Sequence, residues 1–196
     1  MKKHFSLQYG FTLVEVLVAI TLLLMVIVGP MQILTRANHS TAYATEQQTA
    51  WFLAQEGLEM AQQGRDWYLL QFFNNPGTMS DPWAKFSATT AAGGIFKPCF
   101  SATGCDITLD ATGSTTVTKC SGNACQLYLL PSGRNRYQHS SAGATTTPFT
   151  RKIKMQETGV GSEVTAISTV TWRTGSLIAG QTVVETTSFF NIYDTP

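Results

Sequence analysis

Charge is what this sequence has least of. Charged residues make up 13% of its 196 positions, against roughly 25% in an average soluble protein. Thr, Ser, Ala and Gly fill the deficit, giving a neutral, polar surface. The formal net charge is +1, which argues against nucleic acid or an acidic substrate as the main partner. Histidine is scarce too. His4, His39 and His139 are the only three, and no spacing motif joins them into a ligand set or a nucleophile–base pair. There is no phosphate-cradling glycine loop, and Ser140-Ser141-Ala142-Gly143 lacks the strand-to-helix setting of a nucleophile elbow. Glu56 and Glu59 lie three apart with no His nearby and read as a solvated helix face. Arg134, Arg136, Arg151, Lys152 and Lys154 form a modest basic cluster with aromatics nearby, a composition that nucleic acid accepts. The low net charge instead favours ordinary solvated strand positions, so nucleic acid is permitted as a partner and not supported. No constellation supports an enzyme, and none asks for a cofactor or a metal.

Between Glu15 and Arg36 no ionisable residue occurs. The run Phe11–Met31 meets the about twenty residues needed to cross the roughly 30 Å hydrocarbon core of a bilayer. Lys2 and Lys3 precede it and favour a cytoplasmic N-terminus, with the rest of the chain outside. No small-residue cleavage site follows the run, so it is not an ordinary secretory signal. Glu15 is the anomaly. A carboxylate within an apolar span costs about 2.5–3.5 kcal/mol on insertion scales and is a functional hypothesis by default. The span holds no cation to pair with it. Cutting the Gly10–Phe11 bond would supply one, an α-amino group about one helical turn from Glu15. The bland alternative is that Glu15 snorkels to water from the headgroup region.

A short basic leader ending in Gly10, followed by Phe11-Thr12-Leu13-Val14-Glu15 and an unbroken apolar run, resembles the precursor signature of type IV pilins and type II secretion pseudopilins. The resemblance covers about the first thirty residues. It implies cleavage after Gly10 by a prepilin peptidase, N-methylation of Phe11 by the same peptidase/methyltransferase, and pairing of Glu15 with the amine of an adjacent subunit. It further implies other pilin or pseudopilin subunits, an inner-membrane assembly platform and membrane lipid as partners. Losing Lys2 and Lys3 with the leader takes the formal charge from +1 to −1. The implied location is the inner membrane, single-pass with the C-terminal domain outside, and then a pilus or pseudopilus filament. Pro30 lacks a backbone donor and predicts a kink or loosening at Gly29-Pro30, which the family tolerates.

No proline interrupts Gln32–Phe73, and its composition suits a helix. Ala50, Leu53, Ala54, Gly57, Met60, Ala61, Gly64 and Trp67 follow helical spacing and make one stripe of small and apolar residues. The stripe covers either the domain's own core or another subunit. Ala54-Gln55-Glu56-Gly57-Leu58-Glu59 with Arg65-Asp66-Trp67 resembles minor pilins and minor pseudopilins more than the abundant subunit. Gly57 and Gly64 each lower helix propensity by about 1 kcal/mol, and Asn74-Asn75-Pro76-Gly77 ends the helix.

Beyond it, Thr78 to about Lys97 is turn-rich, with Trp83, Phe86 and Phe96 as core plugs. Asp106–Asp110 and Thr115–Lys119 flank Ala-Thr-Gly-Ser and read as a hairpin, with Gln126–Leu130 a further short run. Phe149–Glu157, Glu163–Thr174 and Thr182–Tyr193 form a meander, with Val164, Ala166, Val170 and Trp172 on one face of its middle strand and Val184, Phe190 and Ile192 on one face of its last. The expectation is an α+β fold, pilin-like, in which the second half of a long N-terminal helix packs on a small antiparallel sheet. Its parts are a leader 1–10, an assembly helix 11–34, a helix continuation 35–75 and a sheet head 76–196 with disulfide loops.

Cys99, Cys105, Cys120 and Cys125 are clustered and even in number behind a membrane segment, which reads as disulfides in an oxidising compartment. Pairing Asp110 with Thr115 places Cys105 opposite Cys120, with Cys99 and Cys125 nested outside. The rival is two local loops, Cys99–Cys105 and Cys120–Cys125. The ladder leans to the nested pairing. A four-cysteine zinc site fits less well, because the first pair has five intervening residues where zinc ribbons take two to four.

Two functions from different classes remain. One is a minor pilin or minor pseudopilin that joins a filament after processing. The other is a membrane-tethered ectodomain that captures DNA or an exoprotein without polymerising.

Overall fold

A computed structural model describes residues 10–75, 81–87, 94–109, 115–122, 125–131, 136–158, 161–174 and 180–191. The chain divides into two compact units, Met1–Ala44 and Thr45–Pro196. One long helix, α1 (Leu13–Asn74), belongs to both. Within the first unit α1 is exposed except at the half-buried Tyr43 and makes the only candidate membrane span among the described residues, with a mean hydropathy of 2.6 over its best 18-residue window and none of that window buried. The helix assignment runs through Gly29 and Pro30 without a break.

In the second unit α1 buries Ala50, Leu53, Ala54, Gly57, Ala61, Gly64 and Tyr68. These follow the expected stripe except at its end. Trp67 is 47% exposed and Tyr68 turns inward instead, because a step of four from Gly64 stays on the stripe where a step of three drifts off it. Met60 is half-buried at the margin. The two helix glycines mark close approaches. A Cβ at Gly64 would lie 2.0 Å from the Phe96 ring, and one at Gly57 would lie 2.8 Å from Ser168 Oγ and 3.2 Å from Arg151 Cδ. Propensity is sacrificed there so that the helix can sit directly on side chains of the unit beneath it.

A short helix, α2 (Pro82–Ser87), and a 3-10 turn at Lys97–Phe100 follow. Trp83, Phe86 and Phe96 are buried as expected. Pro76 and Gly77, read as the helix stop, lie outside the described residues; α1 ends at Asn74.

The strands are β1 (Cys105–Leu109), β2 (Thr115–Lys119), β3 (Gln126–Leu130), β4 (Arg136–Gln138), β5 (Thr145–Thr158), β6 (Glu163–Trp172) and β7 (Gln181–Phe190). All pairings are antiparallel. β5 is the spine. One of its edges takes β6 and then β7, while the other takes β3–β4 along its first half and β1–β2 beyond. The meander β5–β6–β7 is therefore as read from sequence, but β5 starts earlier and β4 was not foreseen.

Two expectations fail at the level of register. β1 pairs Leu109 with Thr115 and Cys105 with Lys119, one residue away from the Asp110–Thr115 pairing expected. Cys120 instead donates its backbone N–H to Gly104 O at 3.0 Å. Side chains alternate between faces, so a slip of one sends Cys105 and Cys120 to opposite sides. The nested pairing is wrong: the disulfides are Cys99–Cys105 and Cys120–Cys125, with Cα separations of 4.4 and 5.3 Å. Asp110 and the Ala-Thr-Gly-Ser turn lie outside the described residues. In β7 the inward face is Gln181, Val183, Glu185, Thr187 and Phe189, and Val184 and Phe190 point out at 55% and 59% exposure. Val183 and Phe189 face Val170 and Val164 of β6, and cross-strand partners share a face. Ile192 lies outside the described residues.

α1 covers the inward face of the sheet in two apolar clusters. Ala50, Leu53 and Ala54 pack with Leu127, Phe149, Val170 and Trp172. Ala61 and Tyr68 pack with Phe86, Phe96, Ile107, Ile153, Met155 and Phe189, among others.

Candidate functional site: the N-terminal motif and a buried charged cluster

Gly10 and Phe11 precede the first turn of α1 and are exposed. A Cβ at Gly10 would meet nothing within 4 Å, so the fold itself makes no demand for glycine at that position. Thr12 is the N-cap, and the Glu15 N–H donates to its Oγ1 at 3.3 Å. A Thr with Glu three residues on is the spacing of a capping box, and it fixes Glu15 in the first turn, where the helix macrodipole favours an anion. Phe11 and Glu15 line one shallow groove with Val16, Ala19, Ile20 and Leu23. Among the described residues no cation pairs with Glu15. The structure thus brings together Phe11 and Glu15, two of the residues singled out from sequence, on an otherwise apolar helix.

The four cysteines pair with one another rather than offering thiolates to a metal. Each bridge clips an irregular segment to the sheet: Cys99–Cys105 holds the 3-10 turn to β1, and Cys120–Cys125 closes the connection from β2 to β3.

A second constellation was not legible as such. Arg151 of β5, read as a solvated strand position, is 1% exposed. Its Nε–H donates to Asp106 Oδ1 at 3.0 Å. Nη1 donates to Glu56 Oε2 at 2.8 Å and Leu53 O at 3.3 Å, and Nη2 to Ile107 O at 3.1 Å and Met60 Sδ at 3.7 Å. A guanidinium has five N–H donors, and here all five have partners. Asp106, itself 1% exposed, also accepts from the Ile107 N–H at 2.8 Å and faces His139 Nε2 through Oδ2. Glu56 is accordingly a partner of Arg151 and not only part of a solvated face.

The protonation state follows from the partners. His139 Nδ1 lies 3.0 Å from the carbonyl oxygen of Gln126, so it must donate. Nε2 then faces an acceptor, Asp106 Oδ2, and one proton has to lie between them. Burial raises the Asp106 pKa above its ordinary value against the pull of Arg151 and His139. Burial lowers that of His139, opposed by Asp106. Both directions shift the proton's balance away from His139 and toward Asp106. This cluster joins α1, β1, β5 and the residue after β4; with both nitrogens of His139 engaged, its role is to hold those elements together.

The parity signal for Arg151 was present. Phe149, Ile153 and Met155 fall on the buried face of β5, and Arg151 shares their alternation. Nothing comparable marks Asp106 or His139.

Residues 5–29 match the family model described as the prokaryotic N-terminal methylation motif, the class III signal peptide of type IV pilins and pseudopilins. No curated protein and no solved structure matches the chain. The motif is that of prepilin-like proteins, a structural and not an enzymatic family, and it implies prepilin peptidase processing and pilin subunits as partners. With the exposed apolar helix, it fits an anchor in the inner membrane.

Proposed function

We propose that the chain is a minor pilin or minor pseudopilin, cleaved after Gly10, N-methylated at Phe11 and assembled into a type IV pilus or type II secretion-like filament. On this reading residues 1–10 are the leader, 11–34 the assembly helix, 35–75 its continuation and 76–196 the head, which lies outside the cytoplasm. The observation that carries it is the coincidence of the methylation motif at residues 5–29 with a helix whose Glu15 has no cation among the described residues. A carboxylate within an apolar membrane span asks for a charged partner, and the amine of a processed Phe11 on a neighbouring subunit supplies it. Glu15→Ala should then insert and be processed normally but enter filaments poorly, as read by comparing sheared filament and membrane fractions. Undiminished incorporation would remove the pairing from the account.

A further inference from the structure

β4 (Arg136–Gln138) is three residues long and lies at an edge; among the described residues β3 alone pairs with it. A ladder that short is marginal by itself and needs other ties. Two side chains supply them. The Tyr137 ring meets Phe149 edge-on, with ring centres 6.0 Å apart. His139, the residue after the strand, reaches Asp106 of β1.

The hydrogen count at that contact admits one protonation state. Asp106 Oδ1 already accepts from the Arg151 Nε–H and the Ile107 N–H, so both its lone pairs are used. Asp106 Oδ2 and His139 Nε2 are buried, and neither has a hydrogen-bond partner elsewhere. His139 Nδ1 keeps its own hydrogen for the Gln126 carbonyl. One proton between Nε2 and Oδ2 therefore satisfies every group. Without it two lone pairs face each other. With a second, two hydrogens do, and another buried cation joins Arg151 against the single charge of Glu56. The ionisable groups around His139 are Asp106 of β1, Arg151 of β5 and Glu56 of α1, with Tyr137 of the preceding strand held neutral by burial.

We propose that His139 is a proton-operated latch on β4, shut while the Asp106–His139 pair holds one proton and open when it holds none or two. Opening lifts β4 and bares the outer edge of β3 at residues 128–130, while Leu127, fully buried, keeps β3 on the core. A bared strand edge is a template for another strand. The sign follows from proton counts. Above the ordinary histidine value of about 6.5 the open pair binds no proton and the shut pair one, so opening gains about tenfold per pH unit. Between about 3.9 and 6.5, the ordinary carboxylate and histidine values, both states bind one proton and the latch is insensitive to pH. The device does not depend on the filament reading.

The test is amide hydrogen exchange of the full-length chain in its membrane, read by mass spectrometry after labelling from about pH 5 to 9, a range that brackets the ordinary histidine value. Each rate is divided by the intrinsic rate at its pH, and β6 (Glu163–Trp172) serves as the internal reference. In the natural chain, protection of β4 and of residues 128–130 should hold steady to about 6.5 and then fall about tenfold per pH unit, with β6 unchanged. Asp106→Asn mimics the protonated acid, its amide donating to a neutral Nε2 while its oxygen keeps Arg151 and Ile107. That variant should reverse the profile, gaining protection up to about 6.5 and holding it above. His139→Gln has no proton to count and should be flat throughout. A natural chain with no alkaline fall overturns the proposal. So does Asp106→Asn or His139→Gln with the fall retained. Protection in β6 shows that each variant is folded; should Asp106→Asn fail that check, His139→Gln decides, a flat profile supporting the latch and a retained fall sinking it.

Discussion

Arg151 and Asp106, 45 residues apart in sequence, meet at 3.0 Å through Nε and Oδ1, with each residue 1% exposed. Their bond sits where the two apolar clusters adjoin. Phe149 belongs to one and Ile153 to the other, and Arg151 lies between them on the same face of β5.

Removing the guanidinium should therefore be expensive. Arg151→Met leaves Asp106 and Glu56 without their cation and leaves the Leu53 and Ile107 carbonyls without their side-chain donor. The expected loss is about 3–5 kcal/mol, the usual penalty for breaking one partner of a buried pair. Urea unfolding followed by the fluorescence of Trp83 and Trp172, both buried, measures it. A loss under about 1 kcal/mol, the range of an exposed ion pair, would mean the cluster does not stabilise the fold.

The Asp106–His139 pair gives stability a specific pH profile. The Asp106 pKa is raised, so its contribution is full below about pH 3.9, the ordinary value, and is lost as pH rises through the raised one. The His139 pKa is lowered, so its contribution is full above about 6.5 and is lost as pH falls through the lowered value. The Asp106 limb therefore falls with rising pH from about 3.9 upward, and the His139 limb rises with pH up to about 6.5. His139→Gln should remove the limb that rises toward neutral pH. Denaturation midpoints across that range report it, and an unchanged rising limb in the variant would assign the slope to other groups.

The disulfide pairing has a direct readout. Non-reducing peptide mapping should recover Cys99 with Cys105 and Cys120 with Cys125, and no Cys105–Cys120 peptide. Each bridge closes a short loop, so loss of one by a paired Cys→Ser change should cost about 2 kcal/mol on the chain-entropy account.

Much of this was legible in the sequence, and the failures share a cause. Apolar spacing gave α1, its stripe and the meander, because each depends on a face being buried over many residues. Local spacing did not fix register. The one-residue error between β1 and β2 was enough to pair the wrong cysteines, and the choice of the even face in β7 misplaced Val184 and Phe190. Arg151 was read from its charge, when its place in the alternation with Phe149, Ile153 and Met155 was the better guide. Asp106 and His139 are brought together only by the sheet's long-range pairing, which no local pattern encodes. The N-terminal motif was the most readable part, since Gly10, Phe11 and Glu15 lie close together in the chain and the match over residues 5–29 needs no tertiary contact to be recognised.

That site also carries the functional account, and one spectrum addresses it. N-terminal mass spectrometry of the protein isolated from its own membrane should find a chain beginning at Phe11 with one added methyl group on its amine. A chain that begins at Met1 with an unmodified terminus would contradict the account, because Glu15 would then have no amine to meet.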